Sequence, residues 1–171
     1  MTNNPYPIPK RYLEPAALAA RSKLSRRLTS WAQAWKGDSG AVLVGATGCG
    51  KSLAASWAAD IERQRRSDTW VKWIRADELS RILSERGGGE RIELVKMARV
   101  LVIDELGYER FPELILEVLG SRHDNSRPTI VTSGLTVSAI AERYSDATVR
   151  RVIEIGNGDV INSWDTKKAP K

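Results

Sequence analysis

A four-residue apolar run, Ala41-Val-Leu-Val44, leads straight into Gly45-Ala-Thr-Gly-Cys-Gly-Lys-Ser52, which fits the pattern G-x-x-x-x-G-K-S. The run reads as a buried strand, and Leu53-Ala-Ala-Ser-Trp-Ala-Ala-Asp-Ile61 continues as an apolar-faced helix. Between them, glycines let the backbone turn tightly enough for successive N–H groups to converge on phosphate oxygens. In such a loop the lysine reaches the β- and γ-phosphates and the serine hydroxyl ligates Mg2+. The helix opening at the loop adds its positive dipole end to the same anion site. Strand, loop and helix in this order predict a nucleoside-triphosphate site. Its candidate binding residues are Gly45, Ala46, Thr47, Gly48, Cys49, Gly50, Lys51, Ser52 and Leu53.

A second motif lies about 50 residues downstream. Arg99-Val-Leu-Val-Ile-Asp-Glu105 is an apolar strand ending in two adjacent carboxylates, at the strand end where open α/β sheets bind ligands. Asp104 is the candidate to hold Mg2+ together with Ser52, directly or through the metal's waters. Glu105 is the candidate general base that polarises an attacking water. A second acid beside the first favours transfer of the γ-phosphate to water over transfer to another acceptor.

Around these motifs, helices and strands alternate. Pro5-Tyr-Pro-Ile-Pro9 reads as an extended lead-in, because each proline disfavours helix in the residue before it. One helix is predicted from Pro15 to Gly37, with Leu24, Leu28, Trp31 and Trp35 forming an apolar stripe at helical spacing. Thr69–Arg75 alternates as a strand, Ala76–Glu85 is helical, and Gly87–Gly89 breaks that helix. Glu90–Ala98 leads as a short helix into the strand Val100–Ile103. Helix Pro112–Ser121, strand Thr129–Thr132, helices Val137–Arg143 and Thr148–Ile155, and a closing strand within Asp159–Trp164 complete the order. Such alternation predicts a parallel sheet with helices on both faces.

A length of 171 residues fits one domain with a full core. No apolar run approaches the roughly 18 residues that span a bilayer, and the polar start Met1-Thr-Asn-Asn4 is unlike a signal peptide. Cys49 is the only cysteine, which excludes an internal disulfide and a cysteine metal cluster. A cytoplasmic protein with no membrane partner is the expectation. Net charge is +6, from 27 Lys and Arg against 21 Asp and Glu, and residues 1–40 alone hold seven basic and two acidic residues. That asymmetry points to a polyanionic partner, nucleic acid first among them, or to a solvated helix face.

Asp104-Glu-Leu-Gly-Tyr108, taken with Ser121-Arg-His-Asp-Asn-Ser-Arg-Pro-Thr-Ile-Val-Thr-Ser-Gly-Leu135, resembles the AAA+ ATPases of the bacterial helicase-loader group, DnaC/DnaI type. Close relatives of that group are the IstB-type ATP-binding helpers of insertion-sequence transposases. Ile8-Pro-Lys-Arg-Tyr12 is similar to the opening of that module. Thr148-Val-Arg-Arg-Val152 and Asn162-Ser-Trp-Asp-Thr166 are similar to its end, so the likeness runs from about residue 8 to about 166. It implies an α/β P-loop NTPase of the AAA+ type, a parallel five-stranded sheet flanked by helices, with no separate lid or N-terminal partner domain. Residues 1–12 would be the lead-in, 13–166 the ATPase domain and 167–171 a basic tail.

The resemblance also implies ATP and Mg2+ as ligands and slow ATP hydrolysis, with Lys51, Glu105 and Arg151 as catalytic residues. Arg151 would be a finger inserted into the site of a neighbouring copy, which makes the active unit a homo-oligomer. The implied partners are single-stranded DNA and a replicative helicase or other replication protein. The family carries a sensor asparagine where this chain has Gly134, which has no side chain to orient water; Thr132 or Ser133 would have to take that part. Three readings follow: a helicase loader, a transposition helper, and a nucleotide-gated adaptor with little turnover.

For nucleic acid, Arg81, Arg86 and Arg91 flank Gly87–Gly89, Lys167, Lys168 and Lys171 close the chain, and Trp70 or Trp73 is available for base stacking. Trp31, Trp35 and Trp57 are expected in the core. His123 is expected in the loop before the strand at Thr129, without partners for a triad or a metal.

Overall fold

The apolar runs become strands buried on both faces, as a parallel sheet covered by helices requires. In this computed structural model, residues 4, 6–65, 71–85 and 88–164 are described. The strands are β1 (Ala41–Val44), β2 (Val71–Arg75), β3 (Val100–Leu106), β4 (Thr129–Ser133) and β5 (Asp159–Asn162). They lie in the order β2-β3-β4-β1-β5, and all their pairings are parallel. The expected five-stranded parallel sheet with flanking helices is therefore present.

Successive residues of each strand face opposite sides, and the core divides accordingly. Ala41, Leu43, Val71, Trp73, Val100, Val102 and Ile130 pack with Leu28, Trp31, Ala55 and Ala58, from α2 (Arg26–Ala34) and α3 (Lys51–Arg65). Val42, Val44, Ile74, Leu101, Ile103 and Val131 pack on the other face with Leu79, Val95, Ile115, Val118, Ile140 and Val149. Those come from α4 (Ala76–Ser84), α5 (Gly89–Lys96), α6 (Pro112–Asp124), α7 (Val137–Tyr144) and α8 (Asp146–Ile153).

The single helix expected over Pro15–Gly37 is corrected. It is α1 (Pro15–Ala20), a 3-10 turn at Arg21–Lys23, two extended residues, and then α2. Leu24 takes ψ 150°, and the Ser25 hydroxyl accepts from the Leu28 N–H as the cap of α2. The break has a tertiary cause: it drops Leu24 onto Gly50, where a Cβ would lie 2.2 Å from a Leu24 methyl. Gly50 also has φ 95°, so the loop needs glycine there on two counts. The lead-in joins the core as well, since Tyr6 and Ile8 are buried and the Trp73 N–H bonds the Tyr6 carbonyl at 2.8 Å.

At the sheet end away from the strand C-termini, Arg122 is fully buried. Its guanidinium donates to the carbonyls of Val95, Lys96, Ala98 and Pro128 and to the Thr129 hydroxyl, at 2.6–3.1 Å. Burial, with the nearby Arg127 charge second, brings it down to about 9. This one side chain ties the end of α5 to the starts of β3 and β4. Among the described residues no helix is long and apolar enough to cross a membrane.

Candidate functional site

At the C-terminal ends of β1, β3 and β4 a cleft of about 570 Å3 opens between residues 47–53 and the loops after β3 and β4. Thr47, Gly48, Gly50, Lys51, Ser52 and Leu53 form one wall. Tyr12, Arg75, Glu105, Tyr108, Thr132, Ser133 and Gly134 form the rest. Of the nine loop residues, Gly45, Ala46 and Cys49 stand behind the lining. The carbonyls of Gly45 and Ala46 accept from Lys51 Nζ at 2.8 and 2.9 Å, and Cys49 Sγ lies 3.8 Å from the same nitrogen.

The two motifs meet at the floor. Asp104 is fully buried, and its Oδ1 accepts from the Ser52 hydroxyl at 2.6 Å and from the Thr132 hydroxyl at 2.5 Å. Its Oδ2 is buried without a hydrogen-bond partner. Thr132 Oγ1 also accepts from the Glu105 N–H at 3.1 Å. Glu105 needs that support, because it has φ 61° and the β3–β4 register shifts between Ile103 and Leu106. The bulge lets two consecutive acids face different ways. Asp104 points into the floor, while Glu105 leaves its side chain 48% exposed at the rim, with Oε2 3.1 Å from Arg75. The Arg11 guanidinium is held above its ordinary range, first by its hydrogen bond to the Tyr12 hydroxyl and then by the Tyr12 charge, with Asp104 and Glu105 adding least.

Thr132 and Ser133 have no free hydroxyl proton to give to a water. Each hydroxyl has one proton to give. That of Thr132 goes to Asp104, and that of Ser133 goes to the Leu106 carbonyl at 2.6 Å, while Ser133 Oγ accepts from the Leu135 N–H. Arg151 lies on α8 with Nη1 beside Gly120 of α6, outside the lining of its own chain's cleft. Arg150 pairs with Glu154 at 3.5 Å.

Several expectations about nucleic acid need correction. Trp73 is buried against the Tyr12 ring, with centroids 5.3 Å apart, and offers no face to a base. Arg81 and Arg91 both pair with Glu85, and Arg91 also donates to the Tyr6 hydroxyl. Arg21 packs over Trp57 and lies 3.6 Å from the buried Asp60, while Arg27 donates to the Asn162 carbonyl. Two of the seven amino-terminal basic residues thus join fold elements together. Trp70, Arg86, Gly87, Lys167, Lys168 and Lys171 lie outside the described residues. His123 is on α6, longer than expected, and contacts Glu154 at 3.0 Å and Asp124 at 3.3 Å. Among the described residues no group of three or more His, Cys, Asp or Glu stands together to hold a metal.

Arg75 and Tyr108 join the lining without a role expected from their place in the sequence. Arg75 had a signal, since it ends an alternating strand at the same sheet edge as Asp104, its partner in register. Tyr108 belongs to a motif but sits in a loop, where spacing says nothing of direction.

Residues 17–153 match the family model of the IstB-like ATP-binding proteins. Among curated proteins none matches the sequence. The DnaC helicase loader has the same fold, with TM-score 0.67 and 21% identity over 90% of this chain and 99% of that one. DnaI aligns with TM-score 0.65 and 19% identity over 90% of each chain. Domain III of the Thermotoga maritima replication initiation protein DnaA aligns with TM-score 0.63 and 17% identity, over 91% of this chain and 68% of that one.

Proposed function

This chain belongs to the family of IstB-like ATP-binding proteins, and from that premise we propose that it hydrolyses ATP in this cleft as a DnaC-like helicase loader acting on single-stranded DNA during replication. The amides of residues 45–53 cradle the triphosphate, and Lys51 supplies positive charge at its β- and γ-phosphates. A water oxygen bonds to the γ-phosphorus while the bond to the β,γ-bridging oxygen breaks. Glu105 takes the water's proton, and ADP and phosphate leave.

The observation that carries this reading is Asp104 Oδ2, a carboxylate oxygen sealed from water with no partner, beside a loop built for phosphate. An uncompensated buried charge is costly, and a cation here would relieve it. One carboxylate and the Ser52 hydroxyl fit Mg2+, which keeps several waters and shares phosphate oxygens instead of requiring an all-protein cage. When bound, Mg2+ offsets the negative charge of the β- and γ-phosphates. Ser52 and Asp104 would hold it, and Thr132 fixes the orientation of Asp104.

Arg151 acts on the γ-phosphate of a neighbouring copy, so the working unit is a homo-oligomer; its position outside its own cleft supports action in trans. The loader role is drawn from the DnaC helicase loader and DnaI, which share this fold. A second reading, a helper ATPase that marks duplex DNA for a transposase, is favoured by the family match over residues 17–153.

The test is ATP turnover with and without single-stranded and duplex DNA, for wild type and Arg151→Ala. Stimulation by single strands supports the loader, and stimulation by duplex alone supports the transposition helper. In either case Arg151→Ala binds ATP normally and loses most turnover. Arg151→Ala turning over at the wild-type rate would remove the finger from the mechanism.

A further inference from the structure

We propose that the phenol hydroxyl of Tyr108 donates a hydrogen bond to the γ-phosphate at the end of β4, from the space a side chain at position 134 would fill. The proposal rests on ATP being the ligand of the cleft.

Thr132, Ser133 and Gly134 line the wall facing the phosphate loop. Both hydroxyl protons there are already spent, on Asp104 and on the Leu106 carbonyl. Gly134 has no side chain, and a Cβ built on it would lie 2.6 Å from the Tyr108 hydroxyl oxygen. The phenol therefore occupies that volume, and a side chain at position 134 could enter it only by displacing the phenol. Among the described residues its hydroxyl makes no hydrogen bond, although Tyr108 is 62% exposed at the cleft mouth. It is a donor at the cleft with no protein partner among the described residues.

Its neighbours in the loop are anchored. Glu109 is buried and accepts from the Gly107 N–H at 2.9 Å, from Arg143 at 3.2 Å and from the Tyr144 hydroxyl. Arg143 also reaches the Glu109 carbonyl at 2.7 Å. Burial first, and then the bond to Glu109, pushes the Tyr144 phenol up, so that proton stays in the clamp. Arg143 and Tyr144 belong to α7, which begins three residues after Gly134. The clamp thus fixes the Tyr108 loop relative to the end of β4. A donor held there meets the γ-phosphate oxygens, where charge accumulates during transfer to water. No bond to Tyr108 forms or breaks.

Tyr108→Phe keeps the exposed ring and removes the hydroxyl. Turnover falls about 10- to 100-fold, as expected for losing one donor to a charged oxygen. Preference for a non-hydrolysable ATP analogue over ADP falls about tenfold on the same basis, with ADP affinity and melting temperature unchanged. Tyr108→Phe with wild-type turnover and wild-type preference would overturn the proposal.

A second pair of variants tests the shared space. Gly134→Asn lowers turnover in the wild-type background, where its side chain displaces the phenol, and raises it in Tyr108→Ala, where the phenol is gone. Equal harm in both backgrounds would contradict the occupancy argument. The affinity arm reads the γ-phosphate contact even in a protein that does not turn ATP over, so it separates this proposal from the assignment of hydrolysis. A chain that binds neither ATP nor ADP removes both.

Discussion

At the floor of the cleft Asp104, Thr132 and Ser133 are sealed from solvent, and both hydroxyls have their protons committed to oxygens 2.5 or 2.6 Å away. At the rim, Arg75 and Glu105 leave 49% and 48% of their side chains exposed and meet in a 3.1 Å ion pair. The floor works at low dielectric, where a lost partner costs the full desolvation of the group left behind. The rim pair is screened by water and contributes about 0–1 kcal/mol. Thr132 and Ser133, which hold position, are buried with their protons committed, and the one unsatisfied floor atom among the described residues is Asp104 Oδ2. Glu105, which must exchange a partner and a proton during the reaction, sits where exchange is cheap.

Three substitutions break or sharpen that contrast. Glu105→Gln keeps the shape of the rim and removes the base, so phosphate release falls about 10²- to 10⁴-fold while equilibrium binding of ATP is unchanged. Persistent turnover in this variant refutes the base assignment. Thr132→Val keeps the volume of the floor and removes both the donor to Asp104 and the acceptor for the Glu105 N–H. Stability falls by about 2 kcal/mol in chemical denaturation, and turnover falls roughly tenfold or more because Asp104 and Glu105 both lose their orientation. Arg75→Ala frees Glu105 from its partner. Stability then changes by less than about 0.5 kcal/mol, and turnover rises, by no more than about threefold given the small worth of an exposed pair. Arg75→Ala costing as much as Thr132→Val would erase the distinction between floor and rim.

The same contrast governs what the sequence discloses. β1, β3 and β4 were legible because strands buried on both faces are continuous apolar runs. The meeting of Ser52 with Asp104 was legible because each belongs to a motif with fixed neighbours in the chain. The break at Leu24 was hidden. Leu24, Leu28, Trp31 and Trp35 keep helical spacing straight across it, yet two of the four lie outside the helix. Its cause is the contact with Gly50, 26 residues away.

Arg21 and Arg27 read as surface charge because composition does not disclose that Asp60 and the Asn162 carbonyl lie beside them. Thr132 was visible as a strand end. Its two bonds, to Asp104 and to Glu105, exist only because β3 and β4 are neighbours. Periodicity reports which face is buried, but the partner of a polar side chain is set by topology.

Crystals grown with a non-hydrolysable ATP analogue and Mn2+, with anomalous scattering used to locate the metal, address the central claim most directly. A single peak within ligand distance of the Ser52 hydroxyl, bonded to Asp104 Oδ2 directly or through one water and touching the β- and γ-phosphates, is the expected result. Nucleotide bound with the metal away from Asp104, or with the phosphates outside residues 45–53, would contradict it.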